Sequence, residues 1–417
     1  NGNNVIKEYY INDYGNQINN FIKSVFLRIR EIKFNEKFID EEDLYPGDYI
    51  KDIAKKIVSK SKLDFNSLEE NYEFLENEAL KYSMEMIKED LKKLGISHDN
   101  FTSEKSIVKS DTVNTAINQL KKNKHVEEGY LEPPKGLEKN KWKKTKRLIF
   151  NSVLFGDDSN RALQKNDGSW TYFANDLAYH YNKVSRKFDR LINILGADHT
   201  GYVKRIEGAV SAISKNKTTL ECKVCQLVKL FKNGKPYKMS KRAGDFISVS
   251  DLLNEVSRDS IRFMMLNRSN DVEIEFDFKK VLEKTKENPV FYVQYAYARI
   301  NSLLRTLNIT LLEKVDLDKN NFKFNKMEEK IVRKVFEWPK IIESTSKQFD
   351  LHKIPFYLYE LSTLFHSYWS KGNEDSKFKL LENGKVKKED SLAIIYLIAI
   401  VIRNGMKILG VSLPEKM

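Results

Sequence analysis

Cysteine is almost absent from this 417-residue chain: there are two, Cys222 and Cys225, both in ECKVCQLVKLF. A structural zinc site needs four ligands, and no second pair exists, so no metal site and no zinc are expected. The alternating apolar pattern around the pair reads as a strand carrying reduced thiols. Long hydrophobic runs are missing too. The best candidate, SLAIIYLIAIVI at 391–402, falls short of the roughly 18–20 residues of a membrane span and reads as a buried helix. The opening NGNNVIKEYY has neither an initiator Met nor the pattern of a signal peptide, and it reads like the middle of a protein. Internal repeats are absent, and the only compositional bias is toward lysine.

What is present is ordinary for a globular protein of two or three domains: 41% hydrophobic and 31% charged residues. The net charge of +13 has two readings. One is a polyanionic partner, either nucleic acid or phosphates. The other is a genome-wide bias, since 57 of the 72 basic residues are Lys.

NVIKEYYIND reads as a strand ending in the turn Asn12-Asp13-Tyr14-Gly15. NQINNFIKSVFLRIREI comes next, with helical spacing of Ile18, Phe21, Ile22, Val25 and Ile29. Strand, turn and helix in succession point to a parallel α/β sheet. Residues 51–130 read as charged and mostly helical, with Gly95 stopping the clearest helix. The basic connector EPPKGLEKNKWKKTKR at 132–147 reads equally as a solvated loop or an RNA contact. From 148 to 250, RLIFNSV, SWTYFAN, LINILGAD and LVKLF read as short strands. Ser250 reads as a helix N-cap, and from Asn288-Pro289 onward the pattern is helical. The domain boundary is placed near 280.

PYKMSKRAGDF at 236–246 resembles the mobile nucleotide loop of class I aminoacyl-tRNA synthetases. EYYINDYGNQI, DLYPGDYI, DGSWTYFANDLAYH, LGADHTGY, DSIRFMML, NPVFYVQYAYARI and the closing LGVSLPEKM occur in the order of the arginyl-tRNA synthetase family, which the chain resembles over its full length. The implied fold is α/β: an incomplete Rossmann-like class I catalytic domain with helical insertions (1–280), then an all-helical anticodon-binding domain (281–417). The family's nucleotide loop works with a His-x-Gly-His element, and none of the six histidines here has that context. The chain therefore reads as a C-terminal fragment, with that element and an N-terminal domain upstream.

The resemblance implies ATP-dependent activation of L-arginine, with Mg2+, and transfer to arginine tRNA in the cytoplasm, by a protein that is a monomer when full length and needs no membrane. Lys238 and Lys241 would act on the phosphates, where cations that meet developing charge lower the barrier. Gly196, Asp198, His199, Met239 and Ser240 would face ATP. Tyr172 and Asp176 would read arginine, Asp because a fixed carboxylate matches a planar guanidinium; Asp13 and Gln17 resemble neighbouring pocket positions. Asp176 is also compatible with a plain surface acid, and Asp198 with a strand-end cap. Tyr292, Tyr295 and Arg299 read either as tRNA-stacking residues or as packing, with Phe291, Tyr295, Ile300 and Leu303 marking a core face. His352 and His366 read as structural. The alternative function is a tRNA-binding fragment that is inactive in activation because half the ATP site is missing.

Overall fold

The computed structural model describes residues 2–39, 41, 43–131, 145–237, 247–309 and 322–417. The described residues of Asn1–Leu91 and Ile96–Gln226 form one compact unit, and those of Lys92–Gly95, Leu227–Met239 and Phe246–Met417 form a second.

In the first unit the chain runs β1 (Glu8–Ile11), α1 (Asn16–Phe34), α2 (Asp48–Lys60), α3 (Leu68–Lys93), β2 (Asn100–Ser103), α4 (Glu104–Lys109), α5 (Thr112–Lys122), β3 (Val126–Gly129), β4 (Arg147–Phe150), β5 (Arg161–Ala162), α6 (Tyr172–Ser185), β6 (Arg190–Gly196), α7 (Val203–Ser214) and β7 (Thr219–Cys225). The anticipated strand, turn and helix at the start are present. Ile18, Phe21, Ile22, Val25 and Ile29 of α1 are buried against Ile50, Ile53 and Ile57 of α2 and Leu75 and Ala79 of α3. β1 pairs with β2 in parallel, Ile11 opposite Ser103, and β6 pairs with β7 in parallel, Gly196 opposite Cys225. Parallel strands place their carboxyl ends together, and open α/β folds bind ligands there. A second core joins α5, α6 and α7 through Ile117, Leu120, Phe173, Leu177, Ala209 and Ile213.

The structure corrects two strand expectations. SWTYFAN is a helix start: only Trp170 bridges to Gln164 before α6 begins at Tyr172. Thr171 caps it, its hydroxyl accepting from the Ala174 N–H at 3.3 Å. Burial of Phe173, Ala174, Leu177 and Ala178 at helical spacing overrides the local β preference of Trp, Thr, Tyr and Phe. The stretch CKVCQLVKLF is two strands, because β7 stops at Cys225 and the next begins at Val228.

The second unit contains β8 (Val228–Lys232), β9 (Lys235–Pro236), α8 (Val249–Glu255), α9 (Arg258–Leu266), β10 (Ile274–Asp277), α10 (Phe278–Leu282), α11 (Pro289–Thr306), α12 (Lys326–Phe336), α13 (Trp338–Gln348), α14 (Lys353–Glu374), β11 (Leu381–Glu382), β12 (Lys385–Val386) and α15 (Glu389–Leu409). The cap of α8 is Ser248, not Ser250: its hydroxyl accepts from the Asp251 N–H while the Asp251 carboxylate accepts from the Ser248 N–H, a capping box that only the earlier serine can form. Asn288 and Pro289 start α11 as anticipated. Its core face is Val290, Val293, Ala296, Tyr297, Ile300 and Leu303 rather than Phe291 and Tyr295, which are only partly buried; the stripe is rotated by about one residue. α15 is long and apolar enough to cross a bilayer by length and composition, but Ile394, Ile395, Ile398, Ile402 and Met406 lie in the core shared by α11, α12, α14 and α15.

Glu328 sits 1% exposed at the junction of α12, α14 and α15. It accepts from Tyr368 Oη at 2.8 Å, Ser391 Oγ at 2.6 Å, Lys388 Nζ at 2.7 Å and the Asn325 N–H at 2.8 Å. Burial opposes its ionisation, but these bonds outweigh it and hold the carboxyl below its usual range. Glu328→Ala should cost about 2–3 kcal/mol in urea unfolding, since it strands buried donors. A loss below about 0.5 kcal/mol would show that this network adds little.

Candidate active site

β1 and β2 end side by side, and the segments leaving their carboxyl ends build the site. Asp13, in the turn after β1, accepts from Ser103 Oγ at 2.6 Å and from the Lys105 N–H at 2.8 Å. It thus stabilises the start of α4, where backbone N–H groups favour an anion. Gln17 donates to Asn12 Oδ1 at 2.8 Å and to the Tyr14 carbonyl, so its amide closes the turn. Both side chains are engaged in local structure.

The next residue after the α4 cap is Glu104, which no sequence motif singled out. It belongs with Asp176 of α6: burial, together with the charges of Asp176 and Asp13, raises the Glu104 carboxyl to about 7. Asp176 is likewise raised by burial, against the opposing Tyr202 hydrogen bond and the charges of Lys183 and His199. Among the described residues neither Glu104 nor Asp176 has an ion-pair partner. Tyr10 of β1 stacks on Tyr179 at 4.0 Å between ring centroids, and its buried hydroxyl has no hydrogen-bond partner among the described residues. Burial and the nearby Glu104 and Asp176 carboxylates push that phenol well above its normal range. Two desolvated carboxylates and an unsatisfied hydroxyl form a place that favours a planar cation with several N–H donors. No local signal tied Glu104 or Tyr10 to Asp176, because they come from different elements.

Tyr172, the first residue of α6, is 69% exposed, with Lys165 Nζ 5.8 Å from its ring centre. The helix places it one turn before Asp176, but Asp176 points inward while Tyr172 faces out.

The wall behind Asp176 is polar and closed. His180 Nδ1 lies 2.7 Å from the Asp176 carbonyl, and its Nε2 lies 2.8 Å from Asn193 Nδ2. Asn193 Oδ1 accepts from Lys183 Nζ at 2.9 Å. Burial drives the His180 imidazole down to about 3, so the ring stays neutral, and lowers Lys183 to about 8. Glu8 accepts from Arg186 at 2.6 and 3.0 Å, from Tyr179 Oη at 2.6 Å and from Asn100 at 2.6 Å. Burial works against its ionisation, yet these bonds hold it at about 2.

Glu8 and Glu104 therefore tilt stability in opposite directions. Glu8 contributes stability that is present above its unfolded value of 4.5 and lost as pH falls toward 2. Glu104 contributes stability that is present below 4.5 and lost as pH rises through 7. Glu8→Gln should flatten the acid side of the urea-midpoint profile, and Glu104→Gln should raise the midpoint at about pH 8. Identical profiles for both variants and the unsubstituted protein would contradict these environments.

Gly196 ends β6, and Asp198 and His199 lie exposed in the 3-10 turn Ala197–Tyr202. A Cβ at Gly196 would lie 2.6 Å from Asp198 Oδ1, so a side chain there would push that exposed carboxylate aside. His199 Nε2 is 3.5 Å from Asp198 Oδ2. Lys238, Met239, Ser240 and Lys241 lie outside the described residues.

Residues 1–304 match the family described as tRNA synthetases class I (R), catalytic domain, and residues 293–417 match the DALR anticodon binding domain. An arginine–tRNA ligase from Pelagibacter ubique is 52% identical over 415 residues, which is 99% of this chain and 72% of that protein. One from Cereibacter sphaeroides is 43% identical over 427 residues, again covering 99% and 72%. The chain belongs to the class I arginyl-tRNA synthetases, the arginine–tRNA ligases. A solved structure described as an arginyl-tRNA synthetase, from Campylobacter jejuni, superposes with a TM-score of 0.81 at 30% identity, over 98% of this chain and 84% of that one. The Rossmann-like catalytic domain followed by a helical anticodon-binding domain is thus the fold of the family.

In the helical part of this synthetase chain, Tyr292, Tyr295 and Arg299 form one cluster. Arg299 donates to Tyr295 Oη at 2.7 Å and to His366 Nδ1 at 3.3 Å, and its guanidinium lies 4.2 Å from the Tyr295 ring centre. His366 is buried and donates through Nε2 to the Tyr292 carbonyl at 3.1 Å, so it is structural, as anticipated. His352 is the residue before α14. The three candidate RNA residues remain only partly buried, and each also packs on the others or on His366.

Proposed function

We propose that Glu104 and Asp176 together read the guanidinium of L-arginine, and that this chain uses them for ATP-dependent charging of arginine tRNA. One observation carries this: two desolvated carboxylates without an ion-pair partner among the described residues, beside the unsatisfied Tyr10 hydroxyl. Lysine carries its charge on a single nitrogen and cannot bridge two acceptors as a planar fork does, which favours arginine.

In the first step the arginine carboxylate oxygen attacks the α-phosphorus of ATP, supplied as its magnesium complex. The bond to the bridging oxygen breaks and pyrophosphate leaves. In the second step the terminal ribose hydroxyl of the tRNA attacks the arginyl carbonyl and AMP leaves. Lys238 and Lys241 serve the phosphates in the first step, with Met239 and Ser240 beside them. Gly196, Asp198 and His199 face the adenosine. Tyr172 covers the bound amino acid, and Asp13 adds negative field from the start of α4. Tyr292, Tyr295 and Arg299 contribute to the tRNA surface of an anticodon-binding part that begins near 280. The protein works in the cytoplasm and, when full length, as a monomer.

The test is arginine-dependent ATP–pyrophosphate exchange with cognate tRNA, and lysine as the control amino acid. Exchange with arginine and background with lysine is the expected result. Because the sequence contains no His-x-Gly-His element, tRNA binding without activation is the second reading. tRNA binding with no arginine-dependent exchange would favour it.

A further inference from the structure

We infer that Tyr202 is a positioning residue for arginine recognition: it fixes one carboxylate oxygen of Asp176 and leaves the other to the guanidinium. The inference rests on the assignment of Asp176 to arginine.

Tyr202 closes the 3-10 turn after β6, and its hydroxyl donates to Asp176 Oδ2 at 2.6 Å. Its ring has little freedom. Phe173 meets it edge-on, with centroids 6.2 Å apart and planes at 82°, and the Arg205 guanidinium lies 5.1 Å from its centre. Asp176 Oδ1 has no hydrogen-bond partner among the described residues. A carboxylate free to rotate about its terminal torsion would offer either oxygen in a broad range of directions. Held by Tyr202, it offers one.

The same segment of chain holds α6 by a second connection. Asn193 of β6 uses its oxygen to accept from Lys183, so its nitrogen donates to His180 Nε2. His180 is then the Nδ1–H tautomer, donating to the Asp176 carbonyl. Asp176 is therefore set through its side chain by Tyr202 and through its backbone by Asn193 and His180. Both connections trace to the segment that carries Gly196, Asp198 and His199. The spacing between the guanidinium reader and the nucleotide-facing strand end is thereby fixed by one stretch of chain.

The groups facing Asp176 are Glu104 on α4, Tyr10 on β1, Tyr179 and Lys183 on its own helix, and His199 and Tyr202 in the 3-10 turn; Asp13, in the turn after β1, acts on Glu104 and Tyr10. The Tyr202 bond favours the ionised carboxylate. Without it Asp176 holds a proton more tightly, and arginine must displace that proton.

Tyr202→Phe keeps the ring and its packing. It should raise the arginine KM in pyrophosphate exchange about 10-fold, with kcat and the ATP KM within about twofold. The rise should grow as pH is lowered, because proton competition increases. An unchanged arginine KM, a fall in kcat alone, or a pH-independent effect would overturn the inference. Asp176→Asn separates the two assignments. If it leaves the arginine KM unchanged, the reading of Asp176 fails; if it abolishes exchange while Tyr202→Phe is neutral, only the role of Tyr202 fails.

Discussion

Asp176→Asn should lower arginine-dependent exchange by about 100- to 1000-fold while leaving tRNA binding intact. The guanidinium would keep Glu104 but lose a desolvated, charge-assisted acceptor, and truncating one side of such a pair costs about 3–5 kcal/mol. Stability should move the other way. In the free protein Asp176 is withdrawn from solvent, with no ion-pair partner among the described residues and Glu104 nearby, so its charge is a cost that arginine offsets. The amide removes that cost, and the urea midpoint should hold or rise. Loss of exchange together with a lower midpoint would mean that Asp176 is structural. Unchanged exchange would remove it from the pocket.

If arginine pairs with Glu104 as proposed, its binding is proton-linked. Glu104 holds its proton up to about pH 7, and a guanidinium pairs with it only after that proton leaves. The arginine KM should therefore rise as pH falls below 7, and the dependence should disappear in Glu104→Gln along with most of the affinity.

Lys241→Ala should reduce kcat for exchange by about 100- to 1000-fold, with a smaller change in the arginine KM. A flexible ammonium that reaches the phosphates only as charge accumulates on them stabilises the transition state more than the bound substrate. Lys238→Ala should have a lesser effect in the same direction. Single-turnover arginyl transfer from preformed arginyl-adenylate should be nearly unaffected, since pyrophosphate has already left. A Lys241→Ala variant with normal exchange would remove the loop from the chemistry.

Much of the architecture could be read locally. Ile18, Phe21, Ile22, Val25 and Ile29 announced α1, Asn288-Pro289 announced α11, and the apolar run at 391–402 announced the buried α15. Local propensity misled where tertiary burial was stronger, as at Trp170–Phe173, and where two serines competed for one cap, as at Ser248 and Ser250. Asp176 could be found because it lies on one continuous motif. Tyr10 and Tyr202 also lie on quoted motifs, but nothing local links either of them, or Glu104, to Asp176, because each lies on a separate element.

The amino-acid sequence by itself determined the charge, the helix periods, the family and the order of its motifs, since these depend on residues within a turn or two of one another. Only the tertiary structure decided which acids lie in one another's field and which are paired with a cation. Asp13 is spent on the start of α4, Glu8 is neutralised by Arg186, and Glu104 and Asp176 are desolvated with no described cation paired to them. Desolvation and electrostatic field depend on atoms brought together from distant parts of the chain, and no local pattern encodes them.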